Sequence, residues 1–185
     1  PIPTGTWNKE LPAQMLSAIS TYGFWYYYMH TGDKETMEYV YPAVKRYLEV
    51  WKLDEEGLTE GRTGGWSWGD WGTHIDLRLI LASWHYLALQ SAINMAELTG
   101  HQEDIAGYEE IRKSIYQAFN KCWNGYAYRH PAYLGATDDR IHAMAILSGA
   151  RGKSPQLKAM VTSPGTYSDY KGEPIDVFSR TSFAE

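Results

Sequence analysis

The sequence has 185 residues, with 17 Lys and Arg against 22 Asp and Glu, which gives a formal net charge of -5 at pH 7. A mildly acidic chain without a basic run is a poor partner for nucleic acid or for an anionic membrane surface, so we expect neither partner. No apolar stretch reaches the roughly 18 residues of a membrane-spanning helix. The single cysteine, Cys122, excludes an internal disulfide framework and a cysteine-based zinc site.

Two helices are predicted in the first third of the chain. Residues 11–30 form an aromatic-rich run that Thr31-Gly32 closes, because glycine readily takes the left-handed conformation of a helix C-cap. Asp33 suits the N-cap of a second helix over 34–52. Pro42 is predicted to separate a short lead-in turn from the main part of this helix. Its apolar residues recur every three or four positions and make one stripe, namely Val40, Val44, Leu48 and Trp51.

A long loop and two further helices follow. Residues 53–73 predict a loop whose three tryptophans argue against disorder. Residues 75–99 are apolar almost all round in their first part, which predicts a helix buried on several sides and ended by Gly100. Residues 102–121 carry one apolar stripe and a charged opposite face, which predicts a helix with one side in water.

The last third is predicted to be less regular. Residues 123–130 suit a turn or a short β-hairpin, and residues 138–149 predict a helix capped by Asp138 or Thr137. Two acidic residues at that helix start are explained by capping and by the helix dipole, without a ligand. A shorter helix is predicted over 155–162, and a loop over 162–174.

A weak internal repeat indicates the fold class. The segment TGDKETMEYVYPAV at 31–44 resembles TGHQEDIAGYEEI at 99–111. A repeat at an offset of 68 residues suggests stacked helical hairpins. Helices that are apolar all round alternate with helices that have one stripe, as inner and outer helices of a ring do. We therefore predict an all-α fold whose hairpins form about half of a six-hairpin (α/α)6 toroid.

The loop motif Trp66-Ser67-Trp68-Gly69-Asp70-Trp71-Gly72 is the strongest candidate for a ligand site. Indole faces stack on the C–H faces of a sugar ring, and a carboxylate among them accepts hydrogen bonds from neighbouring hydroxyls. Glycines allow the backbone to approach a ligand closely. The alternative is a tryptophan-rich loop folded over the core, with Asp70 as a turn or cap residue.

Other residues carry weaker signals. Trp7, with Glu10 nearby, suits either a site role or a staple onto the first helix. The aromatic run from Tyr22 to Tyr28 is better explained as core. The six histidines lack HxxxH or HxH spacing, so we expect no transition-metal site, and no sequence pattern indicates a cofactor.

Four segments together resemble the catalytic α/α-barrel of the α-L-rhamnosidases of glycoside hydrolase family 78. They are YYYMHTGDKETMEYVYPAVKRYLE, then WSWGDWG before a long apolar helix, then IYQAFNKCWNG, and then DDRIHAMAILSGA. Their order and spacing fit across residues 1–185. The resemblance implies a single (α/α)6 glycosidase-type domain of which this chain is a segment truncated at both ends, lacking half of its own barrel.

The resemblance also implies the reaction. The family hydrolyses terminal α-L-rhamnose with inversion, which needs a carboxylic acid on the leaving-group side and a carboxylate base opposite. The family motifs for acid and base are expected before Pro1 and after Glu185, so we expect neither catalytic residue here. The residues that match the sugar-contacting part are Trp68, Asp70 and Trp71, with Trp66 beside them and Trp7 more loosely aligned.

Two alternatives remain open from the sequence. One is another six-hairpin exo-glycosidase, and the other is a non-catalytic helical module that binds sugar or serves as a scaffold. A carbohydrate is the expected partner in either enzyme interpretation. The sequence leaves the compartment open between cytoplasmic and secreted or periplasmic.

Overall fold

The computed structural model describes residues 13–62 and 74–148, together with two short strands at 167–168 and 174–175. The chain divides into two units, Pro1–Met144 and Ala145–Glu185, which are described separately. The helices are α1 (Gln14–Ile19), α2 (Phe24–Thr31), α3 (Lys34–Leu48), α4 (Leu77–Thr99), α5 (Gln102–Lys121) and α6 (Asp139–Leu147). In the described part of the chain, none of them is both long and apolar enough to cross a membrane.

The second unit contains a small antiparallel pair of strands. Strand β1 (Tyr167–Ser168) pairs with β2 (Pro174–Ile175), so that Tyr167 lies opposite Ile175. The loop prediction for 162–174 is therefore wrong at these strands, because their backbones pair with each other as an antiparallel ladder. The predicted helix over 155–162 lies outside the described residues.

The predicted helix over 11–30 is in fact two helices. After Ile19 the chain leaves the helical path, and α2 begins only at Phe24. Ser20 donates its hydroxyl to the carbonyl of Ser17 at 2.6 Å, a local bond that competes with regular helix. At Gly23 the backbone comes so close to α1 that an added Cβ would stand 1.8 Å from the carbonyl oxygen of Ala18. The break thus depends on glycine at this position.

We expect Gly23→Ala to destabilise the first unit by about 3 kcal/mol, because the backbone oxygen it meets cannot move aside as a flexible side chain would. The matched control is Gly107→Ala in the exposed part of α5, where an added Cβ meets nothing within 4 Å. That change should stabilise the helix by about 0.5–1 kcal/mol. Urea unfolding of the dilute chain measures both, and equal stability of the two variants would contradict this explanation of the break.

The junction between α2 and α3 confirms the predicted caps. Gly32 has φ +68° and ends α2 in the left-handed conformation. Asp33 is the N-cap of α3. Its carboxylate accepts two hydrogen bonds from Thr36, one from the backbone N–H at 3.0 Å and one from the side-chain hydroxyl at 2.6 Å. These hydrogen bonds lower the pKa of Asp33 to about 2. A cap of this kind fixes where α3 begins.

The prediction for Pro42 is wrong. Helix α3 runs through this proline and ends at Leu48. Pro42 and Glu38 both lie on an exposed part of α3, where water can replace the helical hydrogen bond that proline cannot donate to the Glu38 carbonyl. The predicted stripe is confirmed at Val44, Leu48 and Trp51, which are buried.

Helix α4 is the centre of the first unit. It contacts α1, α2, α3 and α5, and buried residues occur on all of its sides, from Leu79 to Ala96. Gly100 ends it with φ +85°. Because Tyr86 lies against Tyr116 and Gln90 accepts from Arg112, α4 and α5 run antiparallel. The predicted inner helix is thus confirmed, together with its outer partner.

The internal repeat has a structural counterpart. Helices α3 and α5 begin 68 residues apart, each one two residues after a left-handed glycine. The two copies are joined directly: Tyr41 donates its hydroxyl to Asp104 at 2.8 Å, Lys45 contacts the other carboxylate oxygen at 2.5 Å, and His101 stacks on Tyr41 at 4.5 Å. We call this group the α3–α5 joint. It joins α3 to the start of α5.

Candidate functional site

The predicted sugar-contacting residues lie outside the described residues. This holds for Trp66, Trp68, Asp70 and Trp71, which belong to the undescribed stretch 63–73, and for Trp7 and Glu10 near the start of the chain. The structure does describe both flanks of this stretch. They are the turn that ends at Arg62 and the segment from His74 into α4.

A closed turn forms the first flank. The Asp54 carboxylate accepts the N–H groups of Glu56 and Leu58, each at 3.0 Å, and Leu53 pairs with Thr59. Gly57 supplies the left-handed residue of the turn, with φ +85°. The turn therefore orients the Asp54 side chain and brings Glu56 close to it in space.

Both carboxylates point at Arg78 in the first turn of α4. The Arg78 guanidinium contacts Asp54 Oδ2 and lies 3.2 Å from Glu56 Oε2. Burial raises the pKa of Asp54, but hydrogen bonds from Arg78 and Leu58 outweigh it and lower the pKa overall. The pKa of Glu56 is lowered chiefly by its hydrogen bond with His130, and the charge of Arg78 adds to this. Both groups are therefore carboxylates at neutral pH.

His130 connects this turn to the segment before α6. Its Nδ1 accepts the N–H of Ala132 at 3.1 Å, so the hydrogen-bond pattern assigns the ring proton to Nε2, which donates to Glu56 at 2.7 Å. Arg78 Nη1 also lies 2.8 Å from Nε2. In this tautomer both nitrogens carry hydrogens, so this contact is not a hydrogen bond. The backbone N–H of His130 donates to the Asp76 carboxylate at 2.7 Å.

Two buried aspartates hold the second flank. Asp76 and Asp138 are only 2% and 5% exposed, and the N–H of Asp76 donates to Asp138 Oδ2 at 3.2 Å. Arg140 grips Asp138 with its Nε at 2.8 Å and its Nη2 at 2.9 Å. The same Nη2 donates to the carbonyl of His74 at 3.1 Å, and His74 Nδ1 accepts the N–H of Ala136 at 3.3 Å. Residue 74 is thus held from two sides.

These groups form one polar network at the N-terminal end of α4. We call it the α4-end network; its members are Asp54, Glu56, His74, Asp76, Arg78, His130, Asp138 and Arg140. It joins three separate segments of the chain beside the stretch 63–73. Asp76 occupies the N-cap position of α4. The predicted alternative that Asp70 is a turn or cap residue concerns a residue outside the described part of the chain.

Sequence reasoning recognised only part of this network. Asp138 was predicted as a cap, and it does accept the N–H of Arg140 at 3.1 Å ahead of α6. Its link to Asp76, and the roles of Arg78 and His130, were missed. The partners in these contacts lie between 22 and 74 positions apart along the chain, so no local pattern indicates them.

The turn is also anchored to the core through His85. His85 is fully buried in α4, and its Nδ1 lies 3.0 Å from the Thr59 hydroxyl. Burial lowers its pKa from 6.5 to about 3. Folded His85 is therefore neutral over a pH range in which unfolded His85 is charged.

We expect stability to fall as the pH drops from 6.5 towards 3, since only the unfolded state takes up the proton there. The loss is at most about 1.4 kcal/mol per pH unit, and it is absent above pH 6.5, where both states are neutral. Urea unfolding between pH 7.5 and 5 measures it. His85→Gln should flatten the slope, whereas the control His30→Gln, at an exposed site, should keep it. An unchanged slope in His85→Gln would contradict the assignment.

Among the described residues one group has the composition of a metal site. Donor atoms of His101, Glu103 and Asp104 lie within 4.8 Å of one another. Asp104 already binds Lys45 and Tyr41, so the ammonium of Lys45 supplies the positive charge that a metal would bring. We assign no metal to this group, and the sequence expectation of no metal site stays a prediction.

The paired helices, with an inner helix buried on all sides and outer helices striped on one, are those of a six-hairpin glycosidase fold. Residues 12–147 match the family model of the bacterial alpha-L-rhamnosidase six-hairpin glycosidase domain. The chain belongs to this family. The resemblance noted from the sequence and the all-α six-hairpin fold class are thereby confirmed.

A solved structure with a similar fold is a GH78 family rhamnosidase of Bacillus sp. GL1. The identity is 21%, the TM-score is 0.59, and the match covers 75% of this chain and 16% of that chain. This chain therefore spans about a sixth of the length of that protein. A search of curated proteins found no significant match.

Proposed function

We propose that this chain is a segment of the catalytic domain of a glycoside hydrolase that removes terminal α-L-rhamnose. The observation that carries the proposal is the family match over residues 12–147, which includes the whole stretch 63–73 and both of its flanks. The length of the solved rhamnosidase, of which this chain spans 16%, supports a segment of a larger enzyme.

The proposed mechanism is inverting. An acid protonates the leaving oxygen and a base activates a water on the opposite face, with the two carboxyl groups about 6.5–9.5 Å apart. We place both groups outside residues 1–185. The contribution of this chain is to hold the sugar: Asp70 accepts hydrogen bonds from neighbouring hydroxyls, Trp68 and Trp71 offer stacking faces, and Trp66 and Trp7 complete the aromatic wall.

The flanks support a binding role for the stretch between them. Arg62 lies over the Trp51 ring at 5.2 Å, and His74 is held by Arg140 and Ala136. Function concentrates in loops that a rigid scaffold positions, and both ends of this stretch are attached to such a scaffold.

The test is hydrolysis of a panel of aryl glycosides by the complete protein that carries this chain. We expect turnover of the α-L-rhamnoside alone, with the β-anomer of rhamnose appearing first in proton NMR, as inversion requires. Turnover of a different sugar would identify another six-hairpin exo-glycosidase. Sugar binding without turnover of any member would identify a non-catalytic module, and either result would overturn the proposal.

A further inference from the structure

We infer that Asp76, Asp138 and Arg140 are positioning residues for the proposed sugar-binding stretch 63–73. The inference rests on the proposed function, since it concerns how the same site is held in place. The three side chains fix His74, the first described residue after that stretch, and the start of α4 three residues further on. None of them is proposed to touch the sugar.

The geometry of the group is that of a two-sided clamp. Asp138 uses both carboxylate oxygens: Oδ1 accepts from Arg140 Nε, and Oδ2 accepts from Arg140 Nη2 and from the N–H of Asp76. Asp76 in turn accepts the N–H of His130, which ties the segment before α6 to α4. Arg140 then reaches the carbonyl of His74. A single arrangement of these three segments satisfies all the bonds at once.

Net stability is a poor explanation for such a group. Taking charges out of water costs free energy that their attraction only partly returns, and well-packed apolar residues of similar volume often serve stability as well. What a buried carboxylate with all its hydrogen bonds contributes is a unique geometry, because any displacement leaves the buried charge of Asp138 without its partners. This matters beside a binding site, where groups must be held to within about 0.5 Å.

The decisive variant is Asp138→Asn in the complete protein. The new amide group places a donor where the carboxylate accepted from Arg140 or from the N–H of Asp76, so one side of the clamp is lost. We expect KM for the aryl rhamnoside to rise about tenfold with little change in kcat, because misplacement by about 1 Å costs up to roughly 100-fold and stacking faces hold ground state and transition state alike. Arg140→Lys keeps the positive charge but loses the paired N–H donors of the guanidinium that bind Asp138. This variant should also raise KM, but by less than Asp138→Asn does.

The matched control is Asp104→Asn. Asp104 also accepts from a cation and from a second donor, but it belongs to the α3–α5 joint beyond the other end of α4. At 1.5 Å per residue the 23 residues of α4 span about 35 Å. This variant should lower the melting temperature and leave KM unchanged.

Hydrogen–deuterium exchange separates the inference from the proposed function. Peptides that cover 63–73 should exchange faster in Asp138→Asn than in the wild type, and equally in Asp104→Asn, whether or not the protein hydrolyses rhamnosides. Unchanged exchange of these peptides in both Asp138→Asn and Arg140→Lys would overturn the inference even in an active rhamnosidase. A tenfold rise of KM in Asp104→Asn would also overturn it, since the effect would then be general destabilisation.

Discussion

The 185-residue chain expressed alone is expected to give no measurable hydrolysis of an aryl α-L-rhamnoside. We have proposed that the catalytic acid and base both lie outside residues 1–185, and acid–base assistance alone contributes about 10²- to 10⁴-fold to such a rate. The hydrolysis rate of an inverting enzyme that lacks both carboxyl groups should be lower than the rate of an enzyme that lacks only one of them. The complete protein, assayed at the same molar concentration, is the control.

The same chain should also bind a hydrophobic dye. Helix α2 buries none of its residues although six of its eight are aromatic or Met, and Tyr26 and Met29 are 48% and 63% exposed. Such a surface suits contact with further hairpins of a ring, and exposed apolar patches bind these dyes. Tyr26→Gln should lower the dye signal of the chain without changing its helical circular dichroism.

Turnover by the pure chain would contradict this account. It would require a pair of carboxyl groups within residues 1–185, and Asp70 and Glu10 would be the first candidates. A far-ultraviolet circular dichroism spectrum dominated by strand would contradict the fold itself.

Asp70→Asn in the complete protein is expected to lower kcat/KM by about 100-fold or more. A carboxylate that grips two sugar hydroxyls makes charge-assisted hydrogen bonds of roughly 1.5–3 kcal/mol each, and the amide replaces an acceptor oxygen with a donor. Since Asp76 is the N-cap of α4, the change should leave that helix start intact. The measurement is kcat/KM beside the melting temperature.

Two further variants separate holding the sugar from reacting with it. Trp68→Ala and Trp71→Ala should mainly raise KM, because a flat apolar face stabilises substrate and transition state about equally. Asp139→Asn, an exposed acid in the first turn of α6, is the matched control and should change neither constant. A lowered melting temperature with normal kcat/KM in Asp70→Asn would mean that the loop is structural.

Local signals were enough to predict much of the fold. The periodicity of α4 and α5, the left-handed glycines at 32 and 100 and the Asp33 cap each involve residues within a few positions of one another. Because each feature depends only on such near neighbours, the sequence alone was enough to predict it. The starts of α3 and α5 followed from the repeated Thr-Gly pattern.

Two errors in the helices have tertiary causes. The break before α2 depends on how closely the backbone at Gly23 approaches Ala18, which no composition rule gives. The unbroken path through Pro42 depends on the exposure of that face of α3. Propensity alone favours a continuous first helix and a broken second one, and in both cases the structure is the opposite.

The α4-end network could not be predicted from the sequence for a different reason. Arg78, Asp54 and His130 meet only because three segments are folded against one end of α4. Their residue types are common on protein surfaces, and their spacing carries no signal. The tryptophan-rich stretch could be proposed as a site from the sequence because its aromatic and acidic side chains are concentrated in seven consecutive residues, and its role stays a prediction.

The central claim is that the stretch 63–73 holds the sugar in a rhamnosidase, and a crystal structure of the complete protein with L-rhamnose tests it most directly. We predict the Asp70 carboxylate within about 3 Å of two neighbouring hydroxyls, and the ring of the sugar stacked on the indole of Trp68 or Trp71 at about 4–5 Å. Rhamnose bound elsewhere in the barrel, with no contact from residues 63–73, would contradict the claim.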